Sequence, residues 1–360
     1  MSGLTNNLSG SASIIIAAER SVDQQGDLSA TQALIQQAES EGQRCITLTI
    51  DDLNTPWQSP IQKHHFRSGC GPIEALSVAN RLVQDGECDL AVIHGKDFLR
   101  SEQSQNDRHT KMAIYPEMAI PEAYTQLARH FYQHHGFTEA EFLRLRDAVF
   151  DNLKQTAEQL GLKLPAENWY QPITSLYRGV DCANPVTDFE GLVVVTSQDS
   201  SLPRLINPIE IKGVGIGIAD KDGPEHAREL AQYHALEKAC HYAGVQSNCA
   251  IAEVINSPTA LLDAYTCYPV VPIALLMKGG GLQSVQSILD LLKTKALTTT
   301  GGMNLARAPW NNPALQGLIA MCQKLQEHQG LGLVHGKGGL GYGHGSALLS
   351  AEALSSRIIT

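Results

Sequence analysis

Long apolar runs and positive charge are both in short supply in this chain of 360 residues. The longest apolar segments, such as Val270 to Met277, fall far short of the roughly 20 residues that cross a bilayer as a helix. Met1-Ser2-Gly3-Leu4-Thr5 lacks the basic stretch and apolar core of an export leader, so the expectation is a cytoplasmic protein with no membrane partner. Lys and Arg number 27 against 37 Asp and Glu, a formal net charge of -10. No basic stripe offsets this, which argues against a nucleic-acid surface or an anionic membrane as partner. Cys45, Cys70, Cys88, Cys182, Cys240, Cys249, Cys267 and Cys322 show no paired spacing, so neither a disulfide framework nor a zinc knuckle is expected. No metal is expected, because no cluster has ligand spacing. No Gly-Lys-Ser/Thr follows a strand and opens a helix, and Gly213-Val214-Gly215 is too slight for a dinucleotide site.

What is present is ordinary globular material, with 43% hydrophobic and 18% charged residues. The length suits two domains, or one duplicated domain with an insertion. Ser13 to Ala18 reads as a strand. Ala30 to Glu41 reads as a helix with Leu34, Ile35 and Ala38 on one face, and Cys45 to Ile50 as a second strand. Leu90 to Gly95 is an apolar run closed by glycine, best read as a buried strand. Strands alternating with helices of this length predict an α/β fold with a mainly parallel sheet covered on its faces. Between Leu99 and Asp181 the texture turns helical, with helices expected over Pro121 to His134 and Thr138 to Leu160. The first carries Tyr124, His130, Tyr132, His134 and His135, which either line a pocket or form a packed surface. From Asp181 the first texture returns, with strands at Val193 to Val195 and Ile209 to Gly215, a long helix from Pro224 to Ala243 stopped by Gly244, a strand over Ala250 to Ile255 and a helix onward to Tyr265.

Two stretches carry candidate chemistry. Arg67-Ser68-Gly69-Cys70-Gly71-Pro72 delivers a cysteine to a helix start, where Pro72 is tolerated and the helix's positive end favours a thiolate. The plain alternative is a small buried hydrophobe. Near the end, His335-Gly336-Lys337-Gly338-Gly339-Leu340-Gly341-Tyr342-Gly343-His344-Gly345 lies between apolar strands at Leu331 to Val334 and Ala347 to Leu349, and reads as a glycine turn whose backbone approaches a ligand closely. His344, between glycines, is a candidate functional group; Lys337 reads equally well as solvated.

In order and spacing, Gly69-Cys70-Gly71 with its helix, Gly86-Glu87-Cys88-Asp89-Leu90-Ala91-Val92, Asp181 to Asp188, Glu253-Val254-Ile255-Asn256 and Gly336-Lys337-Gly338-Gly339 through His344 resemble the thiolase superfamily over about Ile14 to Ser350. Thr300-Gly301-Gly302 to Trp310-Asn311-Asn312 looks most like a divergent branch near the sterol-carrier-protein type of thiolase, often labelled acetyl-CoA acetyltransferase. The resemblance implies two duplicated α/β halves in a five-layered sandwich with an inserted helical loop domain. On this reading residues 1–100 and 181–205 form the first half, 101–180 the insertion and 206–360 the second half. It also implies acyl-CoA or CoA as ligand with no separate cofactor, and a homodimer or a hetero-complex with another subunit. Gly301, Gly302, Gly338 and Gly339 are then the substrate-binding glycines.

The chain departs from the family at two places. Counted from Gly86 or Ala75-Leu76, the nucleophile's position falls on Gly69 rather than Cys70, and a one-residue deletion would restore Cys70. Where the family carries the activating histidine, Ala308 precedes Pro309. His335 falls near the second, acid/base cysteine, and Asn256 corresponds within one residue to the family asparagine of the oxyanion site.

Three functions follow. The first is thiolase-type acyl transfer, Claisen condensation or thiolysis of a 3-oxoacyl-CoA, with Cys70 as nucleophile, His335 or His344 as base and Asn256 with turn amides as oxyanion donors. The second is an inactive acyl-CoA-binding partner subunit. The third is retro-aldol cleavage of a 3-hydroxyacyl-CoA, with Tyr342 or a histidine as base and no covalent intermediate.

Overall fold

The computed structural model describes residues 12–351. The Met1 to Thr5 stretch and the last residues assigned above to the second half lie outside the described residues. In chain order the first elements are β1 (Ser13–Val22), α1 (Ser29–Ser40), β2 (Cys45–Ile50), the two-residue β3 (His65–Phe66), α2 (Gly71–Gln84) and β4 (Leu90–Phe98). Helices α3 (Gln105–Met112), α4 (Ile120–His134) and α5 (Glu139–Gln159) separate β4 from β5 (Asp188–Ser197). Then come β6 (Ile209–Ile218), α6 (Ala227–Leu230), α7 (His234–Ser247), α8 (Ile251–Asn256), β7 (Leu261–Asp263) and α9 (Val270–Ala274). The last elements are α10 (Val285–Thr294), α11 (Gly302–Leu305), α12 (Pro313–Glu327), β8 (Gly330–Gly338) and β9 (Gly343–Ala351).

The nine strands join in the order β3-β2-β4-β5-β1-β6-β9-β8-β7. Read outward from the β1–β6 junction, the sequence β1, β5, β4, β2 on one side is mirrored by β6, β9, β8, β7 on the other, which is the topology of a duplication. The sheet is mixed: β2 is parallel to β3 and β4, β7 is parallel to β8, and the other neighbours are antiparallel.

Period-two alternation assigns each strand residue to a layer. On β4, Leu90 and Val92 face α1, while Ala91 and Ile93 face α2; on β5, Val194 and Val193 divide in the same way. Helices α2 and α12 share one core with strands of both halves, from Ile15, Leu48 and Val195 to Val214, Val334 and Leu349. These two helices form the central layer, α1 covers the first half, and α7 covers the second. The architecture is the expected five-layered α/β sandwich. Among the described residues no helix is long and apolar enough to cross a membrane.

Several local expectations need correction. Ala250 to Ile255 is helix α8, and Ile251, Val254 and Ile255 are buried at helical rather than alternate spacing. The helix expected to run on to Tyr265 is replaced by β7. The long helix from Pro224 is broken at Tyr233, whose φ is 56°, and α7 continues past Gly244 to a left-handed Asn248. The glycine-rich segment near the end is mostly strand: β8 and β9 extend through His335, Lys337 and His344, leaving only residues 339–342 as turn.

Gly213, Gly215 and Gly217 occupy one face of β6, and a Cβ on any of them would run into the backbone of Ala243, Ala239 or Ala235 respectively. Two strand residues rise about 6.6 Å and four helix residues about 6 Å, so alternate glycines meet every fourth residue of α7. Gly215→Ala is expected to lower the unfolding free energy by about 2–3 kcal/mol through overpacking. Gly42→Ala, in open space but with positive φ, should cost about 1 kcal/mol. Urea unfolding of the two variants checks this, and equal losses would contradict it.

Candidate active site

The site begins with a buried ion pair. Arg67 follows β3, and its guanidinium meets Asp51 at 2.8 Å with both side chains about 95% covered. The same guanidinium donates to the carbonyls of Pro56, Trp57 and Ser59, so its donors are satisfied, as a buried charge requires. This fixes the loop that brings Trp57 to a pocket of about 230 Å³, lined also by Gly69, Tyr124, Tyr265, Cys267 and Lys337. After Arg67 the chain passes through Ser68, whose φ is 89°, and enters α2 with Cys70 as N-cap.

Gly69, not Cys70, faces this pocket. A Cβ at Gly69 would collide with the hydroxyl of Tyr265 and approach the Lys337 carbonyl to 2.6 Å. The volume a nucleophilic side chain would use is therefore taken by a phenol. Tyr265 is 8% exposed and its hydroxyl has no hydrogen-bond partner among the described residues. Burial pushes its pKa well up, so it is a proton donor at neutral pH.

Cys70 is wholly buried, with Sγ 3.2 Å from where a Cβ on Gly345 would stand. Its thiol is pushed well above the ordinary value, by burial first and by the Glu74 carboxylate second. Burial and Glu74 thus oppose the thiolate expected from the helix start. Nor do the candidate histidines reach it. Gly336 and Gly345 face α2 and Cys70, whereas His335 and His344, one residue off that register, point to the opposite face of the β8–β9 ladder.

The two histidines pair with each other. His335 Nε2 lies 3.0 Å from His344 Nδ1 in nearly coplanar rings, and the outer nitrogens, His335 Nδ1 and His344 Nε2, are without partners. Burial drives His335 down to about 3 and His344 well below its usual range, so both are neutral imidazoles. His335 borders a separate polar cavity of about 10 Å³, together with Gly302 and Ala308, and not the main pocket.

The remaining candidates are dispersed. Asn256 is exposed at the end of α8, its amide donating to the carbonyls of Ala252 and Gly280, which places it away from the pocket. Gly301 packs on Leu162, and Gly302 on Leu153 and Thr266. Gly338 abuts Ser68 and Tyr342, while Gly339 lines the pocket. Tyr342 is pushed up to about 12 by burial and does not line the pocket. Ala308 ties the loop after Asp181 into place: its N–H donates to the Asn184 carbonyl, and its own carbonyl accepts from Val186.

What the pocket does assemble is Lys337, Tyr124 and Cys267. Lys337 is 1% exposed, and no carboxylate pairs with it among the described residues. Burial lowers its pKa to about 8. Its Nζ is hydrogen-bonded to the Tyr124 hydroxyl and donates to the Gly339 carbonyl at 2.9 Å. Cys267 Sγ donates to the same hydroxyl at 3.3 Å, and Tyr124 is stacked on Tyr268 with ring centroids 3.9 Å apart. Of the α4 aromatics weighed above, Tyr124 lines the pocket and His130, Tyr132, His134 and His135 do not. Among the described residues no group of three or more His, Cys, Asp or Glu is placed to hold a metal.

No family model and no curated protein matches the chain. Solved structures do. A monomeric SCP2-thiolase like protein type 1 from Mycobacterium smegmatis superposes with a TM-score of 0.67 at 16% identity, over 95% of this chain and 78% of that one. An Ltp2-ChsH2(DUF35) aldolase superposes with a TM-score of 0.66 at 14% identity, over 94% of this chain and 98% of that one. The chain has the thiolase-like fold, in accord with the resemblance to a divergent branch read from its motifs.

Two measurements follow from the site. With an alkylating reagent on the native protein, half-buried Cys45 and Cys249 should be labelled first, and Cys70 only on unfolding; early labelling of Cys70 would contradict its burial. Lys337 has a folded pKa near 8, below its ordinary 10.5. The unfolded chain therefore binds more protons between these values, and stability should rise with pH across that window. Lys337→Met should remove that part of the rise and stabilise the protein near pH 7 by up to about 3 kcal/mol. Urea midpoints at pH 7 and pH 10 for both proteins test it.

Proposed function

We propose that this chain is a retro-aldolase acting on a 3-hydroxyacyl thioester, a CoA thioester in the first instance. The observation that carries the reading is the Tyr265 hydroxyl in the space before Gly69, beside a lysine–tyrosine pair of opposite proton affinity. Cleavage needs a base for the 3-hydroxyl and an acid for the carbon left behind. Two titratable groups whose environments push them apart supply such roles. Lys337, near 8, holds a neutral fraction at neutral pH and accepts the proton through Tyr124; Tyr265, raised by burial, keeps its own proton to give.

In the proposed reaction the 3-hydroxyl proton passes to Lys337 and the C2–C3 bond breaks. C3 becomes an aldehyde or ketone carbonyl, and the electron pair enters the thioester enolate. Tyr265 protonates C2, releasing a shortened acyl thioester. The proton gained by Lys337 balances the one lost by Tyr265. Thiolase-type acyl transfer through Cys70 is the weaker reading, because Cys70 is walled off from the pocket and position 308 is alanine. The aldolase in the name of one structural neighbour supports the choice as an analogy of fold.

The test is to incubate the protein with 3-hydroxyacyl-CoAs and to resolve shortened acyl-CoA and carbonyl product by chromatography. The rate should rise as pH passes through about 8. Tyr265→Phe and Lys337→Met should each lower kcat by about 10²–10⁴-fold. Cleavage absent from the parent, with 3-oxoacyl-CoA thiolysis that depends on Cys70, would return the acyltransferase reading. Binding without either reaction would leave a partner subunit.

A further inference from the structure

Cys267 takes no part in the cleavage chemistry, yet it stands in the pocket wall with a thiol connected to a base. Its Sγ donates to Tyr124 Oη at 3.3 Å, and that oxygen is hydrogen-bonded to Lys337 Nζ. The tyrosine proton has two acceptors within reach, the Gly339 carbonyl at 3.0 Å and, when the amine is neutral, the lysine lone pair. Turning from the first to the second completes a chain from thiol through phenol to amine. Tyr124 is kept in line by its stack on Tyr268.

A second, independent observation points to a ligand at the same wall. Tyr265, two residues before Cys267 and also lining the pocket, is more than nine-tenths buried with a hydroxyl that bonds to nothing among the described residues. Its hydroxyl is not one of the sealed, unsatisfied polar atoms but opens on the pocket, where its proton is free to be donated to a polar ligand atom. A thioester carbonyl oxygen has the required acceptor chemistry.

We propose that Cys267 is a covalent acyl acceptor, a nucleophile relocated from the start of α2 to the segment after β7, and that it takes acyl groups from small thioesters by thiol exchange. Cys267 Sγ bonds to the acyl carbon as the bond from that carbon to the donor sulfur breaks. The thiol proton moves through Tyr124 to Lys337, and from Lys337 to the departing thiolate. The products are an S-acyl Cys267 and a free donor thiol, with no oxidant or other reactant needed. This half-reaction goes beyond C–C cleavage and does not depend on it.

The experiment incubates the full chain with acetyl-, hexanoyl- and decanoyl-CoA, quenches in acid and maps acyl mass on cysteine peptides, with and without hydroxylamine, which releases thioesters. The expected result is a hydroxylamine-labile adduct on the Cys267 peptide, absent from Cys267→Ser and formed about 10²-fold more slowly in Lys337→Met. Thermal melts show whether each variant is folded. If a variant fails to fold, competition of acyl-CoA against iodoacetamide labelling of Cys267 in the parent gives the same answer. No adduct on the parent, an adduct on Cys70, or one that survives Cys267→Ser overturns the proposal. Cleavage of 3-hydroxyacyl-CoA, measured in parallel, separates failure of this step from failure of the retro-aldol reading.

Discussion

The volume in front of residue 69 admits one side chain, and the character of the pocket follows from which residue supplies it. Glycine at 69 leaves α2 free to begin with Cys70 turned into the central layer, and it leaves room for the Tyr265 hydroxyl from the other half of the molecule. A side chain at 69 and the phenol of Tyr265 exclude one another. Because Tyr265 follows β7 and Gly69 precedes α2, that single contact also joins the two duplicated halves at the pocket floor. The Arg67–Asp51 pair one step upstream then sets where the outer wall can stand.

Burial gives every ionisable group around the pocket the same tendency, which is to be neutral. Lysine is lowered, and tyrosines and thiols are raised; the paired histidines behind the pocket wall are lowered too. In such surroundings a charge formed during reaction is expensive unless a neighbour takes it up at once. Short proton paths between neutral groups, such as the one from Cys267 through Tyr124 to Lys337, suit this dielectric better than a standing thiolate–imidazolium pair would.

The alternating strands and helices and the helical stretch between β4 and β5 were legible in the sequence, because apolar spacing reports directly on which faces are covered; the layered sandwich was implied by the resemblance to the thiolase superfamily. That the nucleophile's position falls at Gly69 or Cys70 was legible too, through that resemblance, with the choice between the two left open. The residues that replace it were not. Tyr265 could not be aimed at Gly69 while the segment before it was read as helix, and Ile251, Val254 and Ile255 misled because β-branched residues suit strands as well as buried helical faces. His335 and Lys337 share parity along β8, so their common face could have been inferred. Which side of that ladder α2 would occupy, and hence that Cys70 lies opposite the histidines, depended on packing between halves that no local pattern records.

The seam at which β1 meets β6 consists of two residue pairs, Ile14 with Glu210 and Ile15 with Ile209. Few strand-ladder pairs therefore unite the halves; the shared helical layer of α2 and α12, whose side chains interlock with strands from both, and loop hydrogen bonds such as those from Trp310 and Asn312 to Asp97 hold them together. A structure joined in this way asks little of the backbone at its centre. Two separate chains carrying such a half could associate across the helices before any covalent link existed, and a later fusion would have needed almost no new strand pairing. The narrow seam thus leaves the strand pairing of each half nearly independent of the other, while the glycine of one and the tyrosine of the other, which meet at the pocket, are bound to change together.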